Sequence, residues 1–90
     1  MPARILLLED DADIAANVYD YLSARQYQLD AAANGAVALH LLAQQSFDVL
    51  VFDIGLPGIS GIEVTRRVRQ ELQLTTPILL LTARDTLDDK

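Results

Sequence analysis

The chain has 90 residues, 51% of them hydrophobic, and no cysteine, so it is long enough for one small core but has neither a disulfide framework nor a thiolate metal site. Its formal net charge of −6 opposes nonspecific binding to nucleic acid, whose affinity depends on lysine and arginine, and any DNA contact is expected to need a separate domain. The sequence has no apolar run of about 20 residues and no signal-peptide layout, so we expect a cytoplasmic location and no membrane segment.

The first predicted element is a strand, Ile5 to Leu8, because the run is apolar without alternation, as in strands buried on both faces. Three acids follow it at positions 9–11. Asp11 or Asp13 is expected to cap a first helix that runs to about Arg25. The side chains expected on its inward stripe are Ile14, Ala15, Val18 and Leu22.

The next two predicted elements are an edge strand from Gln28 to Ala32 and a second helix. Asn34-Gly35 resembles a hairpin turn, but the residues after it have helical rather than strand spacing. Asn34 is therefore predicted to cap the second helix, which is expected to end near Ser46.

The central stretch is an apolar run, Val49 to Phe52, that stops at Asp53 and is followed by glycine and proline. This pattern predicts a buried strand that delivers one acid to a loop. Ser60 and Glu63 have the spacing of a capping box, which predicts the start of a third helix. The side chains expected to point inward from that helix are Val64, Val68 and Leu72.

A last apolar run, Ile78 to Leu81, ends at Thr82. Strands and helices thus alternate along the chain, which predicts right-handed βαβ units and a parallel sheet covered on both sides by helices. Because parallel strands share a direction, the residues that follow them meet at the carboxyl edge of the sheet, where ligands bind in such folds.

Four polar residues are predicted to meet at that edge: Glu9, Asp10, Asp53 and Thr82. Clustered carboxylates repel one another unless a cation joins them, and a ligand set of oxygens alone favours Mg²⁺. Magnesium leaves coordination positions for substrate oxygens, so a phosphoryl group fits the site, and Asp53 is the candidate nucleophile. The alternative is that each residue has only a structural role in its own segment. The acids would then cap turns and helices, and Thr82 would be an ordinary residue at the end of a strand.

Two further roles are expected at this edge. Thr82 would donate its hydroxyl to the phosphoryl group, and Gly55 would offer its backbone carbonyl to the metal. The single histidine, His40, and the three tyrosines are predicted to have no role in the site.

Three segments resemble the receiver domain of two-component response regulators. They are Ile5-Leu6-Leu7-Leu8-Glu9-Asp10-Asp11, Asp53-Ile54-Gly55-Leu56-Pro57-Gly58-Ile59-Ser60-Gly61 and Leu81-Thr82-Ala83-Arg84. The resemblance implies a flavodoxin-like (CheY-like) fold, a three-layer α/β/α structure with strands in the order 2-1-3-4-5. The segment from Thr82 to Lys90 is similar to the OmpR-type subfamily, whose output domains bind DNA.

By this resemblance Glu9 and Asp10 are the metal-binding acids, Asp53 is the phosphoacceptor and Thr82 is the switch hydroxyl. The implied function is two-component signal transduction, in which a sensor histidine kinase transfers a phosphoryl group to Asp53. The receiver assists this transfer but is not expected to be an enzyme in its own right. Phosphorylation would then switch a distant surface and control transcription through a separate DNA-binding domain.

The sequence differs from the family pattern in length. Residues 1–90 are expected to form a receiver domain that is incomplete at its C-terminus, with the order 2-1-3-4 and strand five absent. The lysine that follows strand five in the family would be absent too, so we expect Asp53 of this chain to be phosphorylated slowly or not at all. An open edge on the fourth strand would recruit another chain, and a homodimer is a possible result.

Two other functions are consistent with the sequence. A receiver-like interaction module would act without phosphorylation and would not bind Mg²⁺. A phosphohydrolase with an aspartate nucleophile commonly has a second acid two residues after it, but that position here is Gly55. The sequence thus disfavours the phosphohydrolase.

Overall fold

We analysed the chain in a computed structural model that describes residues 3–56 and 58–81. Strands and helices alternate along these residues. The elements are β1 (Arg4–Leu8), α1 (Ala12–Ala24), β2 (Gln28–Ala32), α2 (Gly35–Gln44), β3 (Val49–Asp53), α3 (Gly61–Gln70) and β4 (Ile78–Leu81). None of the helices in this part of the chain has the length and apolar character needed to cross a membrane.

The four strands form one sheet in the order β2-β1-β3-β4, and every neighbouring pair is parallel. This is the predicted order 2-1-3-4, which is therefore confirmed. β1 lies between β2 and β3, with Leu8 paired with Ala32 on one side and with Phe52 on the other. The two strands that end in acids are thus neighbours at the centre of the sheet.

One face of the sheet is covered by α2 and α3. Its apolar cluster includes alternate residues of β1 and β3 together with the inward residues of both helices. Six of its large side chains are fully buried: Leu6, Leu8, Leu50, Phe52, Val64 and Val68. Because α2 and α3 also contact each other, this face is closed to solvent over most of its area.

In the part of the chain that the structure describes, the other face is covered by α1 alone. Its cluster is smaller, with Ile5, Leu7, Leu29 and Val51 buried. No residue of α1 is itself buried. Beside the helix lies an apolar groove of about 500 Å³, bounded by Val18 and Leu22 of α1 and by β4.

The caps of α1 explain where the helix begins and ends. Of the two predicted candidates, Asp11 is the N-cap, and its carboxylate accepts hydrogen bonds from the amides of Asp13 and Ile14. At the other end Gln26 adopts a left-handed conformation with φ +70°. Its amide and that of Tyr27 bond back to the carbonyls of Ser23 and Leu22, which makes a complete Schellman motif.

The inward stripe of α1 differs from the prediction in one residue. Ala15, Val18 and Leu22 pack against the sheet as expected, but Ile14 is 37% exposed. Each residue turns a helix by about 100°, so Ile14 lies on the flank of the stripe that the other three define. Its inclusion in the stripe was wrong.

The start of α3 agrees with the prediction only in part. Ser60 is the N-cap and its hydroxyl accepts a hydrogen bond of 3.2 Å from the Glu63 amide. The Glu63 carboxylate, however, accepts hydrogen bonds from Arg66 and Arg67, which lower its pKa to about 2. The reciprocal half of the capping box is replaced by these ion pairs one turn along the helix.

The end of α3 and the strand after it also depart from the sequence pattern. The helix ends at Gln70, so Leu72 packs partly against the core from beyond the helix. β4 has the predicted bounds, yet Leu79, Leu80 and Leu81 are 55%, 39% and 38% exposed. In the described residues β4 lies at the edge of the sheet, which agrees with the open edge expected on the fourth strand.

Candidate metal centre at the carboxyl edge

The candidate site is built where β1 and β3 end side by side. Leu8 is paired with Phe52, so the next residue of each strand, Glu9 and Asp53, lies at the same level of the sheet. The Glu9 amide donates to the carbonyl of Ala32 in β2 with a distance of 3.0 Å. The Ile54 amide likewise donates to the carbonyl of Leu81 in β4, at 2.8 Å. Neighbouring strands therefore fix the backbone around both acids.

Three carboxylates converge at this edge. Glu9, Asp10 and Asp53 each offer one oxygen, and these oxygens lie within 4.8 Å of one another. Glu9 and Asp53 are only 6% and 5% exposed, whereas Asp10 is exposed at the rim. The cluster is thus open to solvent on one side and enclosed by the sheet on the other.

Glu9 is held by the start of α1. The amide of Asp11 donates to Glu9 Oε2 at 3.1 Å, while the carboxylate of the same Asp11 caps the helix. Burial raises the pKa of Glu9, and the negative charges of Asp53 and Asp10 raise it further. The hydrogen bond from Asp11 opposes this effect. Burial is the main reason why the ionised form of Glu9 is unfavourable here, the neighbouring acids add to it, and a bound cation would favour the ionised form.

Asp53 is held by the loop that follows it. The Gly55 amide donates to Asp53 Oδ1 at 3.1 Å, which fixes the direction of the carboxylate. The loop then returns over the end of β3, and the amide of Gly61 approaches the carbonyl of Ile54 at 3.4 Å. The first turn of α3 therefore packs directly against the backbone of residues 53 and 54.

The donor set fits a hard divalent cation. It consists of carboxylate oxygens, two of the three residues are buried, and burial together with the charges of Asp53 and Asp10 raises the pKa of Glu9. Magnesium takes oxygen ligands of this kind, usually one or two carboxylates together with water and substrate oxygens. Within the described residues, no buried side-chain oxygen or nitrogen lacks a hydrogen-bond partner.

The structure brings together three of the residues predicted for the site: Glu9, Asp10 and Asp53. Gly55 lies two residues after Asp53 in the adjoining turn, and a role for its carbonyl stays a prediction. Thr82, with the segment that runs to Lys90, lies outside the described residues. His40 is exposed on α2, and the three tyrosines are exposed on or near α1. None of them belongs to the carboxylate cluster.

One residue near the site was missed. Gly61 was seen in the sequence only as part of a motif, but its Cα lies against the Asp53 carbonyl. Glycine has a low helix propensity, so a glycine in the first turn of a helix indicates a close backbone contact. That placement could have identified Gly61 from the sequence.

A parallel sheet in this order, with three carboxylates at its carboxyl edge, defines the class of receiver domains. The chain matches the family model described as the response regulator receiver domain over residues 5–90, and it belongs to that family. The resemblance inferred from the sequence is thereby confirmed.

Relatives with curated names are response regulators and transcriptional regulators. The transcriptional regulatory protein AfsQ1 of Streptomyces coelicolor is 45% identical over 85 residues, which make up 94% of this chain and 36% of AfsQ1. The response regulator MprA of Mycobacterium sp. (strain KMS) is 37% identical over 90 residues, 100% of this chain and 39% of MprA. The chain thus spans less than two fifths of the length of these relatives. The name of AfsQ1 agrees with the predicted link of this family to transcription regulation.

Solved structures support the same fold. The response regulator TrrA of Thermotoga maritima in complex with Mg²⁺-BeF is similar with a TM-score of 0.85 and 35% identity, covering 94% of this chain and 72% of that one. TrrA in complex with the histidine kinase ThkA gives a TM-score of 0.84 and 33% identity, covering 100% of this chain and 76% of that one. The predicted CheY-like architecture is therefore confirmed.

Proposed function

We propose that this receiver domain accepts a phosphoryl group on Asp53 with the help of Mg²⁺ held by Glu9, Asp10 and Asp53. The observation that carries the proposal is the convergence of these three carboxylates within 4.8 Å at the carboxyl edge. We assign the backbone carbonyl of Gly55 as a further ligand of the same Mg²⁺ ion. When bound, magnesium would neutralise the acids and the charge of the incoming phosphoryl oxygens.

The residues of the chain have separate tasks in this transfer. The Gly55 amide holds Asp53 Oδ1, and we assign the attack to the second oxygen, Oδ2. The new Oδ2–P bond forms as the P–N bond of a phosphohistidine breaks, and the electron pair stays on the imidazole nitrogen. Glu9 and Asp10 hold the cation against the phosphoryl group. Thr82 is assigned the hydroxyl that hydrogen-bonds the transferred group and passes the change to a distant surface.

The donor in this proposal is a sensor histidine kinase. TrrA, a structural relative, has been solved with the kinase ThkA, and other relatives are named as transcriptional regulators. By analogy the whole protein would act in the cytoplasm and control transcription through a DNA-binding output domain, with homodimers as one form of its active state. Residues 1–90 are assigned to the receiver domain, which serves as phosphoacceptor rather than as an enzyme.

A magnesium titration of the chain tests the proposal. Thermal unfolding is followed with and without Mg²⁺, and then with Mg²⁺ and beryllofluoride as a phosphoryl analogue. A ligand at 100 times its Kd stabilises the folded state by about 2.7 kcal/mol, so saturating Mg²⁺ is expected to raise the unfolding midpoint clearly. Beryllofluoride is expected to raise it further in wild type and not in Asp53→Asn.

Glu9→Gln is the matched control. Because the pKa of Glu9 is raised in the folded state, its ionised form lowers stability at neutral pH when no metal is bound. Glu9→Gln is therefore expected to be more stable than wild type without Mg²⁺ and to gain less when Mg²⁺ is added. If neither Mg²⁺ nor beryllofluoride changes the unfolding midpoint of the wild-type chain, the result would favour an interaction module that acts without phosphorylation.

A further inference from the structure

Gly61 lies in the tightest backbone contact beside the phosphoacceptor. A Cβ at this position would be 2.9 Å from the carbonyl carbon of Asp53, closer still to the carbonyl oxygen, and 3.1 Å from the Ile54 Cα. These are backbone atoms, which cannot turn aside as the end of a flexible side chain would. Any side chain at residue 61 therefore requires that the helix or the end of β3 move.

The helix is not free to retreat. Three and seven residues after Gly61, Val64 and Val68 are fully buried against the sheet. Ser60 caps the first turn through the Glu63 amide, and Thr65 Oγ1 donates to the Gly61 carbonyl at 2.8 Å. A retreat of α3 would open the packed core under it, so the shift falls on the Asp53–Ile54 peptide.

That peptide carries the geometry of the site. Its carbonyl belongs to Asp53, whose side chain ends in the carboxylate. The loop that begins with this peptide provides the Gly55 amide, 3.1 Å from Asp53 Oδ1. A displacement there moves the carboxylate relative to Glu9 and Asp10, which are set independently by β1 and by the start of α1.

We propose that Gly61 is a positioning residue. Because it has no side chain, α3 packs close to the end of β3 and fixes the position of Asp53 relative to Glu9 and Asp10. That position sets the affinity for Mg²⁺ and the rate of phosphoryl transfer. The inference rests on the proposed function of Asp53. A misplacement of about 1 Å in a reacting group costs on the order of 100-fold in rate. Gly61→Ala is accordingly expected to weaken Mg²⁺ binding about tenfold or more and to slow phosphorylation by acetyl phosphate by about 10- to 100-fold.

Two other glycines provide matched controls. At Gly58, in the same loop, φ is +75° and a Cβ would meet no heavy atom within 4 Å, so Gly58→Ala strains the backbone without a clash. At Gly35 a Cβ would lie 2.8 Å from Cγ2 of Val64, so Gly35→Ala disturbs the contact between α2 and α3. Both substitutions are expected to lower stability and to leave the Mg²⁺ affinity of the folded chain within about threefold of wild type.

The test compares wild type with these three variants by Mg²⁺ titration and by the initial rate of acetyl phosphate labelling of Asp53, each at a temperature where the variant is folded. The Gly55 amide resonance provides a readout without metal, because it reports the hydrogen bond to Asp53. It is expected to shift in Gly61→Ala and to stay in place in Gly35→Ala.

The outcomes separate the inference from the function on which it rests. A wild-type chain that neither binds Mg²⁺ nor is labelled overturns the proposed function. A wild type that does both, beside a Gly61→Ala variant with unchanged affinity, rate and Gly55 resonance, overturns the positioning role alone. If Gly61→Ala unfolds in buffer, the measurements are made in trimethylamine N-oxide, which favours the compact state. A chain that stays unfolded there also overturns the inference, because the glycine would then serve the fold alone.

Discussion

The two faces of the sheet differ in how completely they are covered. On the face under α2 and α3, six large side chains are fully buried, and the first turn of α3 packs on the backbone of Asp53. On the face under α1, no helix residue is buried, and an apolar groove runs between the helix and β4. The same four strands therefore present a closed core on one side and a half-covered surface on the other.

This difference indicates which side of the molecule supports the candidate site. The closed face fixes the position of Asp53, the proposed phosphoacceptor, through α3 and the loop after β3. The open face contributes through Asp11 at the start of α1, which holds Glu9. We expect the fold to depend mainly on the closed face, and the open face to be available for contacts with other molecules.

The largest expected effect comes from a matched pair of leucines. Leu6 is fully buried on the closed face, and Leu79 is 55% exposed on the open one. Leu6→Ala should lower the free energy of unfolding by about 2–5 kcal/mol, as for other buried leucines. Leu79→Ala should cost about 1 kcal/mol or less, because much of its surface is already in water. Urea unfolding of both variants measures the difference, and equal losses would contradict the contrast between the faces.

A second prediction concerns self-association through the open face. In the described residues β4 is an edge strand with exposed leucines and no charge, a pattern that pairs readily with another chain. Leu79→Lys should reduce concentration-dependent association in sedimentation velocity with little change in stability. Leu79→Ala serves as the control, since it shortens the side chain without adding charge. A wild-type chain that stays a compact monomer across dilution would rule out this association.

The smallest expected effect is at the end of α1. Gln26 has φ +70°, a conformation that costs a residue with a side chain roughly 1–2 kcal/mol and a glycine almost nothing. Glycine also gains freedom in the unfolded chain, which offsets about 0.4–1 kcal/mol of that benefit. Gln26→Gly should therefore raise the free energy of unfolding by about 0.5–1 kcal/mol, measured with urea. Arg25→Gly, at φ −97°, should show no such gain.

Local chemistry made much of the fold predictable from the sequence. The caps Asn34 and Ser60 were assigned correctly, and that of α1 was narrowed to Asp11 or Asp13, because capping depends only on a side-chain oxygen and the amides of the next few residues. The acids of the site were predicted because each follows an apolar strand, and parallel strands bring their ends together.

Contacts between distant residues were not predictable in this way. Glu63 was expected to complete a capping box, but Arg66 and Arg67 compete for its carboxylate. The exposure of β4 depends on what packs beside it rather than on its own apolar sequence. The role of Gly61 appears only when α3 is placed against the end of β3. The role of Thr82 stays a prediction.

Asp11 serves two structures at once, because its carboxylate receives the first amides of α1 while its own amide points at Glu9. The orientation of the helix and the position of a candidate metal ligand are thereby mechanically joined through a single peptide unit. A molecule that binds in the groove and tilts α1 would therefore move Glu9 with the helix. Through Asp11, the position of this candidate metal ligand depends on contacts made elsewhere on the open face.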